Sequence, residues 1–507
     1  MTTAADEATG TASKERIRYG NFRRPGWPGL FSTSPAESAV VGLSTFMLVP
    51  LMFFKLYWLM AALALFILVV EIPLVLPSRH GSRAHRLARR RAFSKARRRG
   101  ETALVQGPTG RTPDGRTRLP GMAAQTVLHE WETNLGDAVG VIEWPKSKLW
   151  TVAIRCMPPG RAGRDQSTVD RLVATWGGFL ASLGLERVAG ASVIVETVPG
   201  AGRRQRASAT RGMVEGAPEF SRIALEQALA GEDDWEPMTR VWVTITFDAR
   251  RSLGAKPRTA EQMRTYLSGR LPFVLGDIRT TGAGDTARFC DAQELIDTVH
   301  GMVNPSAEAA IDDARQTRRG TGLDWRDAGP MLALEHYDRW EHDGAVSRSW
   351  VMLSPARGEQ TDEALDPLLA PHSEVQRKRV AVLFRPEEAV KSAQAAEAQV
   401  KSASFGASKK ERVTSRQRDE LNAALKTEDE ESAGALLQRF SMIVTATAFS
   451  DEELEFSSNT IEGLLDRRRL GHRIAYGSQT VAAMASTPIG MVVARETKLP
   501  DVVRDAL

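Results

Sequence analysis

The stretch "LEHYDRWEHDG", residues 334–344, gathers His336 and His342 with four acids, all residue types that can ligate a metal. Their spacing argues against it. Zinc sites on helices favour closer pairs such as i,i+4. On a strand, i and i+6 face the same way but lie roughly 20 Å apart. The stretch reads as a solvated strand or hairpin. "LHEW", residues 128–131, has no second His to complete an HExxH zinc motif. No GxxxxGK[ST] phosphate loop and no GxSxG nucleophile elbow occurs. Cys156 and Cys290 form no CxxC pair, and the soluble part reads as reduced. No catalytic, cofactor or metal residues are assigned, and the chain reads as non-catalytic.

Charge is unevenly placed. Residues 1–100 hold 16 Lys/Arg against 5 Asp/Glu, and the other 407 residues hold 51 against 57. The body is slightly acidic, so direct DNA contact is not expected, because phosphate binding needs clustered cations. Residues 39–76 form an apolar run broken only by Lys55 and Glu71. About 20 apolar residues span a bilayer core, so the run predicts a two-helix transmembrane hairpin with Lys55 at its tip. Basic flanks stay in the cytoplasm. That predicts a multi-pass inner-membrane protein with both termini and the soluble domain cytosolic. The acid-free segment after the run holds Arg79, Arg83, Arg86, Arg89, Arg90, Arg91, Lys95, Arg97, Arg98 and Arg99. These are candidate membrane-surface contacts with anionic lipid, worth on the order of 1 kcal/mol per cation.

The elements that follow alternate. "KLWTVAIRCMP" (148–158), "ASVIVETVP" (191–199) and "RVWVTITFDA" (240–249) read as strands, with a helix over 165–184 and another near 259–270. A similar unit recurs near the C-terminus: a strand at 439–449, a helix opened by Ser450 and Glu453 in capping-box spacing, and a return strand at 472–477. Three strand–helix–strand units predict a cytosolic α+β region of ferredoxin-like βαβ units with a long helical insertion. The divisions are 1–36 as a cytosolic arm, 37–77 as the transmembrane hairpin and 78–121 as a basic helix and linker. The α+β domain takes 122–385 and 439–507, and 386–438 is a projecting helical segment with a turn or hinge at 402–410.

"TTGAGD", residues 280–285, resembles the active-site signature of ribokinase-like sugar kinases. The resemblance implies Gly-rich amides that stabilise phosphate charge and Asp285 as the general base for a substrate hydroxyl. Such a turn should open a helix, whereas Asp291 and Glu294 place the helix start later. Arg279 stands where that family usually has an acid. A Gly-rich turn before a capped helix is the favoured reading.

A second resemblance covers most of residues 15–490. "RYGNFRRPGWPGLFSTSPAE" (18–37) leading into the hairpin resembles the small two-helix inner-membrane subunit of type IV secretion. "ELIDTVHGMVNP" (294–305), "RFSMIVTATAFSDEEL" (439–454) and "SQTVAAMASTPIG" (478–490) resemble the N-terminal, non-ATPase domain of the conjugation ATPase. Together they look like a membrane protein of actinobacterial conjugation clusters. The resemblance implies a non-catalytic inner-membrane scaffold of a conjugative DNA or protein transfer complex. Its implied partners are a separate P-loop ATPase, other channel membrane subunits and further copies of the chain. The alternative is the membrane-anchored accessory subunit of a type VII secretion system, and a sugar-kinase-like enzyme stands behind both.

Overall fold

A computed structural model describes residues 35–71 and 83–496, apart from 109, 111–113, 161–162, 187, 201–208, 210–211, 215, 231–236, 251–254, 317–319, 357–359, 388, 409–414 and 433–437. Thirteen strands lie in one sheet among these residues: β1 Ala103–Val105, β2 Val127–Glu132, β3 Ala138–Trp144, β4 Leu149–Cys156, β5 Val188–Pro199, β6 Pro237–Asp248, β7 Arg288–Phe289, β8 Leu332–Glu335, β9 Trp340–His342, β10 Ala345–Ser354, β11 Arg377–Pro386, β12 Gln438–Ala448 and β13 Gly471–Ile474. The order is β1-β8-β9-β10-β12-β11-β5-β6-β4-β3-β2, with β13 beside β10 and β7 beside β4.

The sheet is a doubled unit. In the first half, β3 and β4 form a hairpin, the helix Gln166–Leu185 crosses to β5, and β6 returns between β4 and β5. The helix Ala260–Thr280 then leads to β7 on β4. The second half repeats this with β9, β10, β11, β12, the helix Asp451–Arg467 and β13 on β10. Matching atoms repeat too. The Cys290 amide donates to Ala153 O, and the Ala475 amide to Ser349 O, both at 2.9 Å. Hydroxyl pairs Thr151–Thr246 (2.9 Å) and Ser347–Thr447 (2.8 Å) occupy equivalent places. Such pairing satisfies groups that burial would otherwise leave without a partner.

The halves meet where β5 and β11 pair antiparallel from Lys378↔Thr197 to Phe384↔Ala191. This corrects the expected architecture. What would be the free edges of separate ferredoxin-like βαβ units are joined, so the body is one 13-stranded antiparallel sheet. Period-2 alternation sends side chains to opposite faces. On one face Trp144, Ala153, Ile194, Trp242, Ala381 and Ile443 share a single core with the helices Ala292–Val303 and Gln479–Ala485. On the other, Trp150, Ile154 and Ile245 pack on the two long helices of the first half, and Trp350, Val380 and Val444 on the helix Asp451–Arg467. The segment after residue 478 lies directly on the sheet. Thr246 Oγ1 donates to Gly490 O at 2.9 Å, and a Cβ on Gly490 would fall 2.3 Å from Thr151 Cγ2.

The expected caps form. Asp291 accepts from the Glu294 amide and Ser450 from the Glu453 amide. The helix near 259–270 runs on to Thr280, with Pro272 inside it. Each half carries an insertion at the same connection. The one between β5 and β6 holds the helix Glu219–Ala230, and the one between β11 and β12 holds the helices Ala389–Ser408 and Ser415–Ser432, in contact with each other. The first helix continues through 402–408, where a hinge was expected, and 409–410 lie outside the described residues. Because β5 and β11 are antiparallel, the insertions leave from opposite ends of the central strands.

The transmembrane hairpin is the second correction. No helix among the described residues is long and apolar enough to cross a membrane. The apolar run divides into helices of 12, 6 and 10 residues, Pro35–Phe46, Leu48–Phe53 and Tyr57–Phe66, with a π-turn at Ile67–Glu71. At 1.5 Å per residue the longest covers about 18 Å of a core about 30 Å thick. Lys55 takes the left-handed conformation (φ 55°) where the chain turns, and Pro35–Phe46 touches Ile67–Glu71. The run therefore folds back as a helical hairpin, and the expectation of a multi-pass inner-membrane protein is overturned.

Candidate functional site

Among the described residues, the hairpin gathers many of the exposed large apolar side chains. Leu43, Phe53, Phe54 and Trp58 are 70, 84, 70 and 71% exposed. Helix formation is explained by the Leu, Ala and Met content of Tyr57–Phe66, but among the described residues no strand packs on the outer side chains. Single exposed apolar residues need no explanation, whereas a contiguous set marks an interaction surface.

Later in the sequence the basic residues form the helix Arg83–Arg98. Arg86, Arg89, Phe93 and Ala96 are half-buried and spaced three or four apart, which makes them its inner face. Phe93 packs edge-on against Tyr337 at 5.5 Å, Arg90 lies over the same ring at 5.7 Å, and Tyr337 stacks on Tyr476 at 5.2 Å. Burial, with Arg89 nearby, lowers Arg473 on β13 to about 10. Arg83, Arg90, Arg91, Lys95, Arg97 and Arg98 are exposed. Arg99 pairs with Glu101 at 3.6 Å, an exposed contact of little energetic weight. Arg79 lies outside the described residues. The ten cations singled out in the sequence thus do not share one face.

The other candidates separate. Asp285 is exposed in a turn that follows the C-terminal end of the helix Ala260–Thr280. The next helix begins at Ala292, so no helix N-terminus stands behind the turn. His336 pairs with Glu341 at 2.7 Å. His342 is not solvated, as the hairpin reading had it: it is 1% exposed, stacked on Trp340 and bonded to Val303 O and Ser347 Oγ. Burial pushes it down to about 3. His129 of "LHEW" meets Glu143 at 3.0 Å. Cys156 and Cys290 are buried and free, and burial pushes the Cys156 thiol up to about 12. Among the described residues no group of three His, Cys, Asp or Glu could hold a metal ion.

A buried ion network escaped the sequence reading. Glu196 of β5, wholly buried, lies 3.7, 3.8 and 3.7 Å from Arg240 of β6 and from Arg377 and Arg379 of β11. Glu308, from the helix Glu308–Gln316, bonds Arg240 and Arg377. Burial alone would raise its carboxyl, but Arg377 and Arg240 hold it down at about 2. Arg379 also donates to Met302 O at 3.2 Å. The network ties the sheet centre to the helices over it. Its signal was present in "RKRVAVLF", where Arg377 and Arg379 alternate on one face of an apolar strand. No family model matches the chain, and no curated protein matches it.

Proposed function

We propose that the chain is a non-catalytic scaffold subunit of a conjugative, type IV secretion-like transfer complex, which docks a separate P-loop ATPase and channel subunits. The observation that carries this reading is the apolar hairpin at residues 41–69, whose large side chains stand exposed, in a chain whose body is one continuous sheet. Large exposed aromatics such as Phe53 and Trp58 are suited to act as anchors in a partner's pockets. The sequence has no P-loop of its own, so nucleotide turnover falls to a partner. Arms at opposite ends of the sheet centre suit a body that holds several subunits at once, and confinement on one scaffold raises their effective concentration.

The test is cross-linking and affinity capture of the full chain from its native cell. A P-loop ATPase should be recovered. Its recovery should fall by about tenfold or more in a Phe53→Asp/Trp58→Asp variant. Recovery of type VII core subunits alone would move the protein to that system. Nucleotide turnover that Asp285→Asn abolishes would replace the scaffold with an enzyme.

A further inference from the structure

The Gly-rich turn lines a cleft that the scaffold reading does not use. Its volume is about 470 Å³, within the range of small-molecule sites. Arg164, Arg171 and Arg279 line it, against a single carboxylate, Asp285. They come from three places: the loop before the helix Gln166–Leu185, that helix itself, and the last turn of Ala260–Thr280. None of the three pairs with a carboxylate among the described residues. Three like charges around one cleft repel one another, which an anion between them relieves.

The turn adds donors. The amides of Gly282, Ala283, Gly284, Asp285 and Thr286 make no hydrogen bond among the described residues. A helix C-terminus would ordinarily repel an anion. Here Thr280 Oγ1 donates to Asp277 O (2.6 Å) and Thr281 Oγ1 to Ile278 O (2.7 Å), which satisfies carbonyls of the last turn. Arg279 Nε donates to Ala287 O at 3.0 Å, which fixes the guanidinium, and its terminal nitrogens make no hydrogen bond among the described residues. The turn is held in shape. Gly282 and Gly284 have φ of 83° and 102°, and a Cβ on Gly284 would fall 2.3 Å from Met157 O. Leu172 supplies an apolar wall.

We propose that this cleft binds a small organic phosphate that carries hydroxyl groups, of the sugar-phosphate or nucleotide kind. Arg164, Arg171 and Arg279 hold the phosphate, because guanidinium groups match its oxygens in bidentate geometry. Asp285 accepts a hydrogen bond from a ligand hydroxyl, and Leu172 packs on the carbon skeleton. The site is a binding site and needs no phosphoryl transfer.

Calorimetric titration of the full chain with ribose 5-phosphate, AMP, inorganic phosphate and a short DNA duplex tests this. One or both organic phosphates should bind more tightly than inorganic phosphate, and the stronger of the two identifies the source. Arg171→Ala should weaken binding by about tenfold or more, the loss of one charge-assisted contact. Arg164→Ala should do the same, Arg171→Lys should restore part of the affinity, and melting temperatures should not change. Asp285→Asn should weaken the organic phosphates while sparing inorganic phosphate. Absence of binding by either organic phosphate, equal affinity for inorganic phosphate, indifference to both arginine substitutions, or binding of the duplex alone would each overturn the proposal.

Discussion

Glu308 illustrates how a buried charge holds this molecule together. It bonds Arg240 and Arg377 and sits above strands from both halves. Glu308→Ala leaves Arg240 and Arg377 only their longer contacts with Glu196 and should cost about 3 kcal/mol in urea unfolding. Its carboxyl is depressed in the fold, so its stabilisation is complete above about pH 4.5 and is lost as pH falls towards 2. His342 titrates in a different window. Its folded value, lowered from 6.5 to about 3, means that the unfolded chain binds the extra proton between those limits. Stability should therefore fall as pH drops below 6.5, by about 2 kcal/mol at pH 5, and His342→Gln should flatten that slope. Both residues were visible as types in the sequence, and neither was visible as buried. His342 was read as solvated because its neighbours Glu341 and Asp343 are polar, yet period-2 alternation turns the ring inward beside Trp340.

At the level of elements, local chemistry spoke clearly wherever it was sufficient. The caps at Asp291 and Ser450 and the strands around Val152, Val193, Ile245 and Val444 follow from short-range rules. The apolar run misled because hydropathy counts residues, whereas a span needs an unbroken helix, and the break at Met47 and the turn at Lys55 shorten it. The helix Arg83–Arg98 was legible as basic, but not as two-faced. Its outward cations predict attraction to anionic surfaces. Arg97→Gln/Arg98→Gln in the full chain should weaken binding to phosphatidylserine vesicles by about tenfold or more at low salt. Arg86→Gln, on the inner face, should change it little. Sedimentation with the vesicles at two salt concentrations reads both outcomes. Phe93→Ala should free the helix from Tyr337 and raise the amide exchange of 83–98.

The whole molecule depends on a seam between strands far apart in sequence. Nothing in the periodicity of "ASVIVETVP" or "RKRVAVLF" states that these strands pair with each other, since periodicity reports faces and is silent on neighbours. The Gly-rich turn was noticed as a motif, but the arginines around it come from separate elements and only the fold assembles them. A continuous sheet with one shared core should unfold as a unit. Fluorescence of Trp150 and of Trp350, isolated by Trp→Phe substitution elsewhere, should report the same urea midpoint. Separate midpoints would mean that the seam is weaker than the halves. The antiparallel seam also sets a distance. The insertion after Pro199 and the one after Pro386 leave from opposite rims, spaced by about 30 Å of central strand. Subunits that grip the roots of the two insertions would be held apart by that length of strand, and lengthening one insertion would leave the far rim as it was.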